Sequence, residues 1–121
     1  MGEKKLYWMA SSRKDLNKLP VEVQRVFGYA IHLAQNGSQH LEAKPFKGVG
    51  GGVPEVVEDH DSDTYRAVYS VKFREAVFVL HVFKKKSKKG RETPKADVDL
   101  IKSRLKLAQE LYDLLKKKGE L

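Results

Sequence analysis

The chain has 121 residues, with 24 Lys and Arg against 16 Asp and Glu, so its formal net charge is +8. This length fits one domain spanning residues 1–121, because ordinary domains contain about 100–150 residues. Cysteine is absent, which excludes a disulfide framework and thiolate metal ligands. The apolar runs fall short of the roughly 20 residues that a membrane helix needs, so we expect a cytoplasmic protein with no membrane partner. The positive net charge predicts an anionic ligand.

Apolar periodicity at the start of the chain predicts a strand followed by a helical hairpin. The strand covers residues 6–10 and the first helix residues 13–19. Pro20 suits the first turn of a second helix, which ends at Asn36-Gly37. Its buried face consists of apolar residues at steps of three and four, namely Val23, Val26, Phe27, Ala30, Ile31 and Ala34.

The middle of the chain predicts a loop and three closely spaced strands. Residues 37–54 are rich in Gly and Pro and predict the loop, and the strands cover residues 53–59, 64–73 and 76–83. In the second strand, Tyr65 and Ala67 share one face whereas Arg66 and Val68 share the other. This alternation is typical of a half-buried strand in an antiparallel meander.

The C-terminal third predicts one long helix. It begins at Thr93-Pro94, and its apolar stripe extends from Val98 to Leu115. Together these elements predict an α+β fold, in which a small antiparallel β-sheet packs against the N-terminal helical hairpin and the C-terminal helix.

Most of the positive charge lies in one stretch between the last strand and the last helix. Residues 84–95, KKKSKKGRETPK, carry a local charge of +6. A lysine run on its own is usually a solvated linker, but this one is anchored at both ends inside the domain. We therefore expect it to contact a polyanion through the following cations: Lys84, Lys85, Lys86, Lys88, Lys89, Arg91 and Lys95. Lys44 and Lys47 either extend this basic surface or are ordinary loop lysines.

Four segments and their order resemble the toxins of the RelE/HigB superfamily. They are the KPFKG segment before the sheet, the TYRAVYSV strand, the VFVLHVFKKKSKKGRETPK junction and the LIKSRL helix. Over residues 6–108 the chain resembles in particular the phage-derived, HigB-type branch of toxin–antitoxin modules. The resemblance implies a RelE-like fold and a ribosome-dependent mRNA endoribonuclease that blocks translation. It also implies three partners, which are the ribosome, mRNA and a helix-turn-helix antitoxin encoded nearby.

Metal-independent RNA cleavage needs a base for the 2′-hydroxyl, cations for the phosphate and an acid for the leaving 5′-oxygen. Arg66, in the sequence YRAVY, resembles the phosphate-binding arginine of the family, and its planar guanidinium can bind a phosphate with two hydrogen bonds. Lys84 and Lys85 directly follow the VFVLHVF strand and resemble the basic pair at the end of that strand in RelE-type toxins. The structural alternative for Arg66 is an ion pair with Glu55 or Glu58 on the adjacent strand.

The general base and acid are less well defined by the sequence. Some RelE-type toxins carry lysines on the first strand of the meander, where this chain has Glu55 and Glu58. Glu55 is either the base or a bridge to Arg66, and the bridge is the favoured interpretation. His81 is an acid candidate because imidazole titrates near neutral pH. However, alternation places it with Val77, Val79 and Phe83 on an apolar face, where a histidine is more often a core residue.

Other classes of function have weaker signals. The four histidines lack ligand spacing, so no metal site is expected, and the GVGGG segment lacks the features of a phosphate-binding loop, so no cofactor is expected. The main alternative is a ParE-like toxin of the same fold, which binds and poisons DNA gyrase without catalysis.

Overall fold

The structure is a computed structural model that describes residues 3–85 and 93–121. The chain forms β1 (Lys5–Trp8), α1 (Ser12–Asn17), α2 (Val21–Gln35), β2 (Lys44–Pro45), β3 (Pro54–His60), β4 (Asp63–Ser70), β5 (Ala76–Lys84) and α3 (Lys95–Lys117). The predicted helices and strands are all present. The two-residue strand β2 was not predicted, because it lies inside the Gly- and Pro-rich loop.

Five strands form one mixed sheet in the order β1-β5-β4-β3-β2. Strands β3, β4 and β5 make the predicted antiparallel meander, and the α+β class is confirmed. Strand β1 pairs in parallel with the first half of β5, with Lys5 opposite Ala76 and Trp8 opposite Val79. This parallel pairing was not predicted, since it joins segments that are about 70 residues apart and local patterns do not report long-range strand direction.

Helices cover both faces of the sheet. Helices α1 and α2 pack on one face, which we call the α2 side, through a cluster that includes Leu16, Phe27 and Tyr69. Helix α3 packs on the other face, the α3 side, through a cluster that includes Ile101 and Phe78. The prediction that β4 is half-buried is therefore wrong: the strand is buried on both faces from Tyr65 to Ser70.

A β-bulge in β5 changes which side chains face α3. Tyr69 pairs with Val79, but the next pair is Val68 with His81, so Leu80 is an extra residue. The bulge reverses the alternation, and His81 therefore lies on the face of Arg66 and α3. The prediction that His81 shares a face with Val77 and Val79 is wrong for this reason, whereas Phe83 does lie on the same face as His81.

None of the helices within residues 3–85 and 93–121 is both long and apolar enough to cross a lipid bilayer. In the same ranges, no three His, Asp or Glu side chains are grouped so that they could hold a metal ion.

Candidate functional site

The Arg66 and Glu55 side chains form an ion pair on the α3 side of the sheet. Arg66 lies opposite Val57 on β3, and Glu55 lies opposite Val68, so both side chains project from the same face. Arg66 Nη1 donates to Glu55 Oε1 at 2.9 Å. The Arg66 residue is only 6% exposed, and the Glu55 side chain is 14% exposed. The predicted bridge is thus made by Glu55, whereas Glu58 lies opposite Tyr65 on the α2 side.

The structure does not bring Lys84 to Arg66. Lys84 lies opposite Tyr65, so its side chain starts on the α2 side, where its ammonium group pairs with Asp63 at 3.1 Å. The bulge explains this placement, because uninterrupted alternation from Ala76 would have put Lys84 on the Arg66 face. Lys85 follows the last residue of β5 and donates its backbone N–H to Thr64 O at 2.7 Å. Continued strand alternation predicts that its side chain lies on the Arg66 face.

Most of the predicted RNA-binding run cannot be compared with the structure. Lys86, Lys88, Lys89 and Arg91 lie outside the described residues, so their contact with RNA stays a prediction. Lys95 is the first residue of α3. Its exposed ammonium group pairs with Asp99 one turn later, at 2.9 Å.

Lys44 lies beside the Arg66–Glu55 pair, and Lys47 lies farther along the chain. Strand β2 is at one edge of the sheet, and Lys44 is the backbone partner of Glu55 in the antiparallel pair. Opposite residues in such a pair project from the same face. Lys44 therefore adds an exposed positive charge next to Glu55, whereas Lys47 is an exposed residue beyond the end of β2.

His81 is the centre of a network that joins β5 to α3. Its Nε2 lies 2.8 Å from Asp97 Oδ1, and its Nδ1 lies 3.4 Å from Arg104 Nη1. A guanidinium group only donates hydrogen bonds, so Nδ1 must accept and Nε2 must donate to Asp97. The ring also stacks on Phe83, with the ring centroids 4.2 Å apart. These contacts define one neutral tautomer of His81.

The electrostatic surroundings of His81 agree with this tautomer. Burial lowers the pKa of His81 below its usual value, and the positive charge of Arg104 lowers it further, although the hydrogen bond to Asp97 opposes both effects. The imidazole is therefore neutral at pH 7, and both ring nitrogens contact protein groups. This arrangement favours the core interpretation of His81, and its role as the catalytic acid stays a prediction.

Sequence reasoning missed Asp97 and Arg104. Arg104 is buried and donates from Nη1 to Leu80 O, the carbonyl of the bulge residue, at 2.8 Å. A signal was present in the helix pattern, because Asp97 lies four residues before the buried Ile101 and Arg104 three residues after it. A charged residue on the apolar stripe of a helix indicates a buried polar partner.

A cleft of about 770 Å³ opens beside the end of β5, between α1 and the start of α3. Its walls carry carboxylate, ammonium and ring groups from all three elements: Asp15, Lys18, His81, Phe83, Lys84 and Asp97. Arg66 does not line this cleft. The recess and the buried guanidinium are therefore separate features at the same end of the sheet.

A protein-family model matches most of the chain. The model of the family described as Phage derived protein Gp49-like matches residues 14–106. The matched region extends from α1 into α3, is well over half of the chain, and includes Glu55, Arg66, His81, Asp97 and Arg104. A search of curated proteins gave no match.

Proposed function

The chain belongs to the phage-derived Gp49-like family, which is of the RelE/HigB toxin–antitoxin type, and we propose that it is a HigB-type toxin that cleaves mRNA on the ribosome. The observation that carries this proposal is the Arg66 guanidinium. It is held by Glu55 at 2.9 Å, on the face of the sheet that Lys85 approaches and close to the start of the basic run. Arginine is almost never fully buried unless its charge is paired, and a buried, paired charge beside a basic segment is a candidate for binding an anionic substrate.

Arg66 neutralises the scissile phosphate in the proposed mechanism. A guanidinium binds the phosphate with two parallel hydrogen bonds and stabilises the negative charge that builds up during cleavage. In the free protein the Glu55 carboxylate accepts from Nη1. On binding, the phosphate takes the place of that carboxylate, and Lys85 adds positive charge from the neighbouring strand.

Glu55 has two possible roles that one substitution separates. As a positioning residue it holds the guanidinium until RNA binds. As a base, Glu55 accepts the proton of the 2′-hydroxyl after the phosphate has displaced the Glu55 carboxylate from Arg66. Glu55→Gln keeps the Oε1 acceptor for Arg66 but removes the basicity, so only the second role is lost in this variant.

The proposed partners follow from the same charges. The ribosome and mRNA supply the polyanion, and binding should weaken with increasing salt because phosphate contacts release counterions. The antitoxin is expected to be a helix-turn-helix protein encoded nearby. Its contact surface would be acidic, and it would cover the lysines by charge complementarity.

The test is an in vitro translation reaction in which primer extension maps the ends of the mRNA. The wild-type protein should cut within the coding region and only when ribosomes translate the message. Arg66→Met keeps the apolar stem of the side chain, and we expect it to reduce cleavage by about 10²-fold or more. Arg74→Met is the matched control, since Arg74 is an exposed arginine at the other end of the sheet.

Circular dichroism and denaturation establish that each variant is folded before its activity is compared. Cleavage at the wild-type rate by folded Arg66→Met would overturn the role of Arg66. Equal cleavage of free RNA without ribosomes would overturn ribosome dependence. For Glu55→Gln, activity within about tenfold of the wild type identifies a positioning residue, and a loss of about 10²-fold to 10⁴-fold identifies a base.

A gyrase poison of the ParE type is the second candidate, and one observation favours it. Arg66 is buried and paired with a carboxylate, as expected of a structural ion pair that no substrate uses. The translation reaction, together with a DNA supercoiling assay on the same purified protein, distinguishes the two candidates. Intact message together with inhibited DNA supercoiling would support the gyrase poison.

A further inference from the structure

A cavity of about 380 Å³ lies on the α2 side of the sheet, away from Arg66. It is enclosed by the C-terminal end of α2, residues 50–54 and the last part of β4 with Val71. The volume lies within the range of pockets that bind small molecules. Arg66, Glu55 and the other residues of the candidate RNA site do not line it, so the cavity is independent of the proposed function.

Tyr69 supplies a hydroxyl group to the wall of the cavity. The residue is 1% exposed and lines the cavity, yet its hydroxyl makes no hydrogen bond to the part of the chain that the structure describes. Burial raises the pKa of Tyr69 to about 12, so the phenol stays protonated and can donate. The hydroxyl lies at the wall of the cavity, and it is therefore available to donate a hydrogen bond to a bound acceptor.

Lys4 makes the cavity electropositive. Its ammonium group is partly buried and donates one hydrogen bond to Phe73 O at 3.2 Å, which leaves two N–H groups for a ligand. None of the residues that line the cavity is acidic. Charge complementarity therefore favours an anion over a neutral molecule or a cation.

The carbonyl groups at the nearby end of α2 do not oppose an anion. Helix C-termini carry partial negative charge on unpaired carbonyls. Here Ala34 O accepts from Gly37 N at 3.1 Å, Leu33 O accepts from Ser38 N at 2.8 Å, and Gln35 O accepts from Lys4 N at 2.8 Å.

The rest of the wall is largely apolar, with Ser38 and Gln39 as its other polar side chains. Ala34, Val53 and Val71 contribute apolar side chains, and the glycines of residues 50–52 present bare backbone. One hydrogen bond ties this glycine segment to the residue after β4, because Gly52 O accepts from Val71 N at 2.8 Å. We propose that the cavity binds a small carboxylate with an apolar, ring-sized body, whose oxygens accept hydrogen bonds from Tyr69 and Lys4.

The experiment titrates isotopically labelled protein with benzoate and follows the backbone amide signals of residues 50–52 by NMR. Cyclohexanecarboxylate is the second anionic probe, and benzyl alcohol is the uncharged comparison. Tyr69→Phe removes only the oxygen, so the variant stays folded, and we expect its Kd for benzoate to rise about threefold to tenfold. Lys4→Met should abolish the preference for benzoate over benzyl alcohol.

Tyr65→Phe is the matched control. Tyr65 lies on the same strand and the same face as Tyr69 but does not line the cavity, so this variant should bind benzoate as the wild type does. An unchanged Kd for Tyr69→Phe would overturn the proposal. So would the absence of saturable shifts at residues 50–52 with both carboxylates, or shifts confined to another part of the protein.

Discussion

Replacing Arg104 by methionine tests the network that joins α3 to the bulge in β5. Methionine keeps an unbranched apolar stem in the same place but removes the hydrogen bond to Leu80 O, which is 2.8 Å long. It also removes the positive charge next to His81 Nδ1. The substitution therefore affects both the stability of the fold and the protonation of His81.

The structure sets the size of the effect. Hydrogen bonds from charged groups contribute about 1.5–3 kcal/mol, and the lost bond leaves the buried Leu80 carbonyl without this donor. Against this, removal of Arg104 relieves the desolvation of its guanidinium, which already lowers the Arg104 pKa. We therefore expect the free energy of unfolding to fall by about 2 kcal/mol. The pKa of His81 should rise, because the Arg104 charge depresses it.

Two measurements check this expectation. Urea denaturation at pH 7.5 gives the free energy of unfolding, and an NMR titration of the His81 ring protons gives its pKa. Lys102→Met is the control on the same helix, since Lys102 is exposed, and its effect should stay within about 0.5 kcal/mol. A loss of less than about 0.5 kcal/mol in Arg104→Met, with the His81 pKa unchanged, would refute the reasoning.

Two further predictions concern pH and the glycine segment. The native pKa of His81 lies below its unfolded value of 6.5, through burial and Arg104. Between those two values the unfolded chain binds more protons, so stability should rise as the pH increases to about 7 and His81 should add no slope above that. Denaturation of His81→Asn across pH 5–8 should lack this slope, and an unaltered slope would contradict the prediction. Separately, Gly52 has φ +76°, and a Cβ at this position would lie 2.6 Å from Lys72 Cβ. We therefore expect Gly52→Ala to lower the free energy of unfolding by about 1–3 kcal/mol. Gly51→Ala is the control, because a Cβ at Gly51 would meet no atom within 4 Å. Equal changes in melting temperature for the two variants would show that Gly52→Ala introduces no strain.

Local sequence patterns were sufficient to predict the helices and the meander. The stripe of α2 repeats over several turns, so its period predicts both the helix and the face that it buries. The alternation of β4 predicts the strand, but it does not show that both faces of β4 are buried. The parallel pairing of β1 with β5 and the two-residue β2 were beyond these patterns. Both depend on contacts between distant segments, and β2 is too short to show any period.

The candidate site was predicted less well than the fold, and Lys84 and His81 show why. Sequence reasoning assumes that alternation continues along a strand, but the extra residue Leu80 reverses it. His81 therefore faces Asp97 and Arg104, and Lys84 faces away from Arg66. By contrast, the Arg66–Glu55 bridge was predictable, because both residues fall within the meander where the alternation is regular.

The bulge at Leu80 also determines how this protein is compared with its relatives. The two halves of β5 have opposite phase, so even-numbered residues face α3 before the bulge and odd-numbered residues face it at Phe83. A relative without the extra residue would keep the same core while its numbering shifts by one after this point. An alignment based only on hydrophobic alternation would then be shifted by one residue, either before or after Leu80. Equivalent lysines at the strand end should therefore be identified from their pairing with β4 and not from their distance along the chain.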